Sequence, residues 1–184
     1  EDTVGRTITV TANAVDSFEG AKECRVRPLG SEYALRYRAW VEANRKAVDE
    51  ASGGSIGYLH IPDMMDTGLV EFARGWYHDT AKSGFITDER YNGGGFVGDM
   101  IIDRLERQIW SFTQPREGKP GAGTEGVSRA HVVVLINHDT GSNGEYFAEA
   151  IKIKGLAPVI GTRTWGGAVG IEPHQNLVDG GVTT

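Results

Sequence analysis

The spacing of apolar residues changes character near residue 30 of the chain. Before that point, alternating apolar and polar positions predict two β-strands, at residues 7–13 and 22–28. After it, apolar residues recur at helical spacing behind Ser31, which is a candidate N-cap. Gly53 follows the last of these positions and predicts the end of the helix. The first part of the chain is therefore β-rich and the next element is a long helix.

From residue 56 onward, predicted strands and helices alternate. The strands are predicted at 56–61, 83–88, 132–137 and 157–160, and the helices at 67–79, 97–109 and 144–154. The segment 132–137 is the most apolar, which predicts a central strand buried on both faces. Trp110 is interpreted as a core or interface residue. Residues 114–129 are rich in Gly, Pro and charge and predict a mobile surface loop. This alternation predicts an α/β layered fold with a largely parallel sheet.

Composition narrows the class of protein. The 184 residues are 39% hydrophobic and 24% charged, which is typical of a folded chain. The net charge of −6, without a basic stripe, argues against nucleic-acid binding, and no apolar run is long enough for a membrane span. Cys24 is the single cysteine, so the fold does not depend on a disulfide. This favours a cytoplasmic location, while an exported or periplasmic one stays open because the start of the protein is expected to be missing.

The segment 139–144, Asp-Thr-Gly-Ser-Asn-Gly, joins the most apolar strand to the following helix. Ser142 is thereby predicted at the carboxyl edge of the sheet, where open α/β sheets place their sites. Backbone N–H groups of the next helix point toward this position, as a nucleophile with an oxyanion intermediate requires. The same residue types also suit an ordinary helix N-cap in a glycine-rich turn.

A glycine cluster follows the strand at 83–88. Gly93, Gly95 and Gly98 satisfy the pattern G-x-G-x-x-G, which is a weak indication of dinucleotide binding. Charged residues separate these glycines from the strand, and Gly118 stands where a ribose-binding acid would be expected. A tight strand-to-helix turn, or a segment that supplies a backbone donor to an oxyanion, explains the glycines equally well.

A third glycine-rich segment, 161–170, follows the strand at 157–160. Its position suits a loop that lines a pocket, with Trp165 as one wall, although a flexible connector has the same composition.

Four segments, in this order, resemble successive blocks of the tricorn and tail-specific (carboxyl-terminal processing) serine protease family. They are residues 57–63, 90–96, 141–144 and 161–167. The resemblance implies a crotonase/ClpP-like α/β core over residues 30–184, incomplete at its C-terminus. It also implies a PDZ-like domain before that core, with residues 1–29 as its C-terminal part.

By this resemblance Ser142 matches the nucleophile, and the backbone N–H groups of Gly94 and Asn143 match the oxyanion hole. Asp88 and Arg90 match the D-x-R-x-N-x-G-G segment, where we interpret them as structural. The candidates for lining the substrate pocket are Gly93, Gly95, Thr164, Trp165 and Gly166.

The family's catalytic base has no match in this sequence. The tail-specific branch uses a lysine downstream of the serine, where this chain has Gly167. The tricorn branch uses a histidine before its PDZ domain and a glutamate beyond the point where this chain stops. His138 is a lesser candidate for the base, since a histidine at a strand end is more often a surface residue. We therefore expect the base to lie outside these residues, and the chain alone to be inactive.

The resulting hypothesis is a serine peptidase that hydrolyses unfolded or short peptides through an acyl-enzyme on Ser142. A non-catalytic ligand- or peptide-binding relative of the same fold is the first alternative, and a dinucleotide-binding domain using Gly93, Gly95 and Gly98 is the second. No metal site is expected, because the histidines lack ligand spacing. The resemblance likewise implies no cofactor. The resemblance further implies a homo-oligomer.

Overall fold

A computed structural model describes residues 3–79, 82–124, 126–170 and 174–183. The chain falls into two compact units, one up to Glu42 and the other from Ala43 onward. Helix α1 (Tyr33–Ser52) contains the division between them.

The first unit contains an antiparallel pair of strands. Strand β1 (Ile8–Ala12) pairs with β2 (Lys22–Val26), with Ile8 opposite Val26. Both strands are largely exposed, which fits their short alternating pattern. The helix that follows begins as predicted, because the Ser31 hydroxyl accepts the backbone N–H of Tyr33 at 3.1 Å. The two predicted strands are confirmed, and their assignment to a PDZ-like domain stays a prediction.

The second unit alternates strands and helices as the sequence predicts. Its elements are β3 (Ile56–His60), α2 (Asp66–His78), β4 (Gly84–Asp88), α3 (Gly98–Leu105), β5 (Phe112–Thr113), β6 (Gly121–Ala122), β7 (His131–Ile136), α4 (Asn143–Ile153), β8 (Val159–Gly161), β9 (Gln175–Asn176) and β10 (Val182–Thr183). Four of them form a parallel sheet in the order β3-β4-β7-β8. The carboxyl ends of these strands therefore lie at one edge of the sheet.

The core of this unit lies between the sheet and its helices. On the α2 side, Phe72 and Trp76 stack with ring centroids 5.6 Å apart, and Trp76 lies 5.1 Å from Phe85 of β4. On the α4 side, Phe147 and Ile151 are almost completely buried. Fully burying each such side chain contributes about 1.5–3 kcal/mol. The apolar periodicity of the helices thus fixes which face of each one meets the sheet.

Two predictions about this core need correction. Strand β7 is internal, but only Val134 is fully buried, whereas β4 is buried at four of its five positions. The difference follows from position, because β7 neighbours the short edge strand β8 and β4 lies between two longer strands. Trp110, interpreted from the sequence as a core or interface residue, is 80% exposed and is not in the core.

Helix α3 is shorter than its predicted span of 97–109. It ends at Leu105, and its buried apolar side chains are those of Ile101 and Ile102, while Met100 is exposed. Residues 107 and 108 are exposed, so further turns would bury no additional apolar face. The segment 114–129 is also more ordered than a plain loop, since β5 and β6 pair as a short antiparallel ladder across it. Among the described residues, no helix has the length and apolar character to cross a lipid bilayer.

Candidate active site

Two loops meet at the carboxyl edge of the sheet. Asp88 ends β4 opposite Leu135 of β7, so the loop after β4 and the turn after β7 begin side by side. Backbone hydrogen bonds join them, because the N–H of Gly141 donates to the carbonyl of Asn92 at 2.9 Å. The Thr140 hydroxyl donates to the carbonyl of Glu89 at 2.7 Å. The glycine segment and the serine turn are therefore held together by the protein itself.

Ser142 occupies a strained backbone conformation between β7 and α4. Its φ is 51° and its ψ is −122°, in a region that residues with a Cβ rarely adopt. Such backbone strain costs about 1–3 kcal/mol and persists only where the surroundings enforce it. A serine on a strained strand-to-helix turn projects its hydroxyl above the sheet, which is how several serine hydrolases present their nucleophile. The strain therefore favours the nucleophile interpretation over a simple helix cap.

Gly94 lies directly beside this serine. A Cβ built on Gly94 would stand 2.5 Å from the Cβ of Ser142 and 3.0 Å from the backbone N of Asn143, and its φ is +85°. Only glycine fits such a position. The neighbouring Gly95, with φ at +147°, is equally restricted, because its Cβ would stand 2.1 Å from the carbonyl oxygen of Met64. Gly94 is thus required by the close approach of its backbone to Ser142, and Gly95 by the close approach of its backbone to Met64.

The backbone N–H groups around Ser142 differ in whether they already have a hydrogen-bond acceptor. The N–H of Gly94, the expected oxyanion donor, is bonded to Oδ1 of Asn92 at 2.8 Å. Within the described residues, the N–H groups of Asn143 and Gly95 have no acceptor. Asn143 opens α4, so its N–H also carries the positive end of the helix dipole. The oxyanion role of Gly94 therefore stays a prediction.

Glu145 is a site residue that the sequence reasoning missed. Its carboxylate accepts four hydrogen bonds: from the backbone of Ser142 (3.0 Å), the Thr164 hydroxyl (2.7 Å), and the backbone of Gly166 (2.6 Å) and Gly167 (2.9 Å). Burial raises its pKa, but these hydrogen bonds, led by that of Thr164, outweigh burial and lower it. The spacing Ser-x-x-Glu before an apolar helix, a capping-box pattern, was the available signal.

The loop after β8 is pinned over the serine turn. Besides the contacts with Glu145, the N–H of Trp165 donates to the carbonyl of Thr140 at 3.0 Å. The Trp165 ring covers Gly141, where an added Cβ would stand 3.2 Å from Cε3. Trp165 is 66% exposed, so much of its ring faces solvent next to Ser142. The structure thus brings Thr164, Trp165 and Gly166 to the same edge as Gly93 and Gly95, and their role in a pocket stays a prediction.

Asp88 and Arg90 form an ion pair at the base of the glycine segment. Asp88 is completely buried, and its Oδ2 accepts from Nη2 of Arg90 at 2.6 Å and from the Tyr58 hydroxyl at 2.7 Å. Burial, followed by the hydrogen bond to Asp88, raises the pKa of Tyr58. The hydrogen bonding that Arg90 donates to Asp88 is the main cause of the raised pKa of Arg90. Because the Arg90 guanidinium donates to the buried Asp88 carboxylate, these contacts support a structural role for both residues.

The histidines near this edge are placed differently from a catalytic base. His60 is 4% exposed, its Nε2 lies 2.7 Å from the carbonyl of Arg90, and burial lowers its pKa. The His138 side chain is 77% exposed and its Nε2 lies 3.2 Å from Oδ2 of Asp139. Within the described part of the chain, no histidine or lysine side chain hydrogen-bonds Ser142. The geometry therefore supports neither histidine as the base.

The dinucleotide alternative is not favoured by these contacts. The N–H of Gly93 donates to the carbonyl of Pro62 at 3.2 Å, and that of Gly98 donates to Oδ1 of Asn143 at 3.0 Å. Two of the three motif glycines thus use internally the N–H groups that would bind a pyrophosphate. The described residues also contain no cluster of three or more His, Cys, Asp or Glu side chains that could hold a metal ion.

A strained serine at the carboxyl edge of a parallel α/β sheet, flanked by backbone donors, is an arrangement that serine hydrolases use to present a nucleophile. Residues 55–184 match the family model described as peptidase family S41, and the chain belongs to that family. The family resemblance carried by the four sequence blocks is thereby confirmed.

Individual relatives agree with this membership. The chain is 44% identical over 156 residues to the tricorn protease of Thermoplasma acidophilum, covering 85% of this chain and 15% of that protein. It is 37% identical over 182 residues to tricorn protease homolog 1 of Streptomyces coelicolor, covering 99% and 17%. A crystal structure of the tricorn protease matches 98% of this chain and 17% of that chain, with a TM-score of 0.84 and 38% identity. The α/β core is thus confirmed, and the chain spans less than a fifth of the length of these relatives.

Proposed function

We propose that this chain carries the nucleophile and oxyanion half of a serine peptidase site, with Ser142 forming an acyl-enzyme with its substrate. The observation that carries the proposal is the strained backbone of Ser142, whose φ of 51° occurs beside Gly94 and next to Gly141, which the Trp165 ring covers. Membership in peptidase family S41 supports peptide bonds as the target. Unfolded or short peptides are the proposed substrates.

In this proposal the Ser142 hydroxyl attacks the substrate carbonyl, and the carbonyl oxygen becomes an oxyanion. The N–H of Asn143, with the dipole of α4 behind it, is one donor to that oxygen, and the glycine segment at 94–95 provides the other. A serine hydroxyl needs a general base. We propose that this base is not one of the described residues that hydrogen-bond Ser142. The relatives are several times longer than this chain.

The test compares Ser142→Ala with Ser83→Ala in the full-length protein. Ser83 is exposed at the amino end of β4, at the opposite edge of the sheet, and its hydroxyl donates to the carbonyl of Ser55 at 3.0 Å. We expect Ser142→Ala to lower kcat for peptide hydrolysis by about 10³-fold or more, as for other nucleophile deletions, and Ser83→Ala to leave it unchanged. A serine-directed covalent inhibitor should label Ser142. Peptidase activity that survives in Ser142→Ala would refute the proposal.

Three finer assignments belong to the same proposal. The antiparallel pair β1–β2 is the last part of a PDZ-like domain, and the protein self-associates as a homo-oligomer in the cytoplasm. The single exposed cysteine, Cys24, suits a reducing compartment. Light scattering of the full-length protein measures the oligomeric state, and a monomer would refute that part.

A further inference from the structure

The glycine segment contains a completely buried carboxyl group. Glu89 has no solvent exposure, and its Oε2 accepts from Nδ2 of Asn92 at 2.7 Å. Among the described residues, its Oε1 has no hydrogen-bond partner. The nearby guanidinium of Arg90 is engaged by Asp88. Burial raises the pKa of Glu89 well above its usual value, and the hydrogen bond from Asn92 opposes this only in part.

Such a group is unfavourable for stability. A buried polar atom without a partner costs about 1–3 kcal/mol, and an apolar side chain of similar size avoids that penalty. The polar contact that the Glu89 side chain makes, within the part of the chain described, is the one to Asn92. Any role of the Glu89 carboxyl group therefore depends on the contacts that Asn92 makes.

Asn92 links both sides of the candidate nucleophile. Its Oδ1 accepts from the N–H of Gly94 at 2.8 Å, and its backbone carbonyl accepts from the N–H of Gly141, next to Ser142, at 2.9 Å. Its Nδ2 donates to the carbonyl of Ile61 at 2.9 Å as well as to Glu89. Because Nδ2 faces two acceptors, the amide is oriented with Oδ1 toward Gly94. Without the Glu89 oxygen, one of the two acceptors that orient the Asn92 amide is lost.

We propose that Glu89 is a positioning residue for the reaction at Ser142, acting through the orientation of the Asn92 amide. Asn92 in turn holds Gly94 against the Cβ of Ser142 and ties the glycine segment to the turn that carries the nucleophile. This inference rests on the peptidase activity proposed above. Glu89 itself does not contact the substrate, since it is completely buried.

Two substitutions in the full-length protein separate the acceptor from the bulk of the side chain. Glu89→Gln keeps an oxygen that accepts from Asn92, whereas Glu89→Leu keeps the volume and removes it. A small misplacement of catalytic groups lowers turnover by up to about 10²-fold, so we expect Glu89→Leu to reduce kcat by about 10–100-fold with KM within about 2-fold. Glu89→Gln should retain kcat within about 3-fold of the original protein, since the orienting hydrogen bond is preserved.

A matched control is Thr87→Val in the adjoining strand. Thr87 is also completely buried, and its hydroxyl donates to the carbonyl of Val133 at 3.2 Å, away from the glycine segment. Thr87→Val should lower Tm and leave kcat unchanged. Hydrogen exchange read by mass spectrometry gives an independent measurement, and the amide of Gly94 should exchange faster in Glu89→Leu than in the original protein or in Glu89→Gln.

The outcomes separate this inference from the proposed function. Loss of activity in Ser142→Ala together with reduced kcat and faster Gly94 exchange in Glu89→Leu supports it. Loss of activity in Ser142→Ala with unchanged kcat in Glu89→Leu overturns the positioning role alone. A fall of kcat in Thr87→Val equal to that in Glu89→Leu overturns it too, because general destabilisation then explains both. Activity that survives in Ser142→Ala overturns the proposed function and this inference with it.

Discussion

The carboxylate of Glu145 accepts the backbone N–H of Ser142 at 3.0 Å, one helical turn along α4. The same carboxylate also receives the hydroxyl of Thr164 and the N–H groups of Gly166 and Gly167. A single side chain thus fixes both the strained serine and the loop that lies over it. This arrangement leads to the first two predictions.

Substitution of Glu145 is expected to disable the site even when the substitute is polar. All four partners of its carboxylate are donors, so the amide of Glu145→Gln would bring an N–H₂ group against at least one of them. We expect Glu145→Gln and Glu145→Ala each to lower kcat by about 10–100-fold, as a misplaced site does. The control is Glu149→Ala, since Glu149 is exposed on α4 and pairs only with Lys152 among the described residues. Full activity in Glu145→Gln would contradict this account.

The depressed pKa of Glu145 predicts a loss of stability in acid. Because its folded pKa lies below the ordinary value of 4.5, its stabilising effect is fully present above that value and is lost as pH falls through the folded value. The Tm values of the original protein and of Glu145→Gln, measured between pH 7 and pH 3, should therefore converge in acid.

The buried Glu89 acts in the opposite direction, since its raised pKa lowers stability as pH increases above 4.5. Glu89→Gln should remove that second dependence.

Gly94→Ala is expected to destabilise more than a glycine substitution at a similar backbone angle elsewhere. Its new Cβ would stand 2.5 Å from that of Ser142, in addition to the strain of φ +85°. Gly155→Ala is the matched control, with φ +62° and no atom within 4 Å of the added Cβ. The left-handed angle alone costs about 1–2 kcal/mol, which is what urea unfolding should report for Gly155→Ala. An equal loss in both variants would show that the contact with Ser142 yields readily.

The strain at Ser142 is measurable by comparing two inactive variants. Ser142→Ala keeps a Cβ at φ 51°, whereas Ser142→Gly removes it. Relief of strain of about 1–3 kcal/mol, less about 0.5–1 kcal/mol for the greater freedom of unfolded glycine, should make Ser142→Gly the more stable by about 1 kcal/mol. Chemical unfolding of the two variants gives this difference directly. A less stable glycine variant would argue that the serine backbone is relaxed.

The 184-residue chain on its own is expected to show no Ser142-dependent peptide hydrolysis. Within its described residues no histidine or lysine side chain hydrogen-bonds Ser142, and the exposed His138 is paired with Asp139. Incubation with unfolded or short peptides and mass spectrometry of the products measures this. Hydrolysis that disappears in Ser142→Ala would instead place the base inside these residues and make His138→Ala the next variant to test.

Much of the fold was predictable because each element carries its own periodicity. Strands β3, β4 and β7 and helices α2 and α4 lie within one or two residues of their predicted spans. Helix α3 was predicted too long because its apolar residues, Met100, Ile101 and Leu105, indicate a helix but do not mark where it ends. The pair β5–β6 and the C-terminal strands β9 and β10 contain only two residues each, too few for any periodicity to appear.

The candidate site was predictable at Ser142 and the glycines, because glycine marks places where backbone needs room. Glu145 was missed because its partners come from a loop far along the chain, and no local pattern shows that Thr164 and Gly166 meet at its carboxylate. Glu89 was passed over for a related reason, since its burial depends on how two loops pack. The partners of Glu145 and the burial of Glu89 both depend on how distant segments pack, which a single sequence does not display.

The sharing of one carboxylate by Ser142 and the loop at 164–167 has an energetic consequence. A ligand that rests on the exposed Trp165 ring and stabilises this loop also stabilises the arrangement of Ser142 that Glu145 holds. By linkage, a covalent adduct on Ser142 that favours the same arrangement must tighten binding at Trp165. The factor is the same as that by which the ligand at Trp165 favours formation of the adduct. Ligand binding next to Trp165 and the conformation of Ser142 are thus thermodynamically coupled through Glu145.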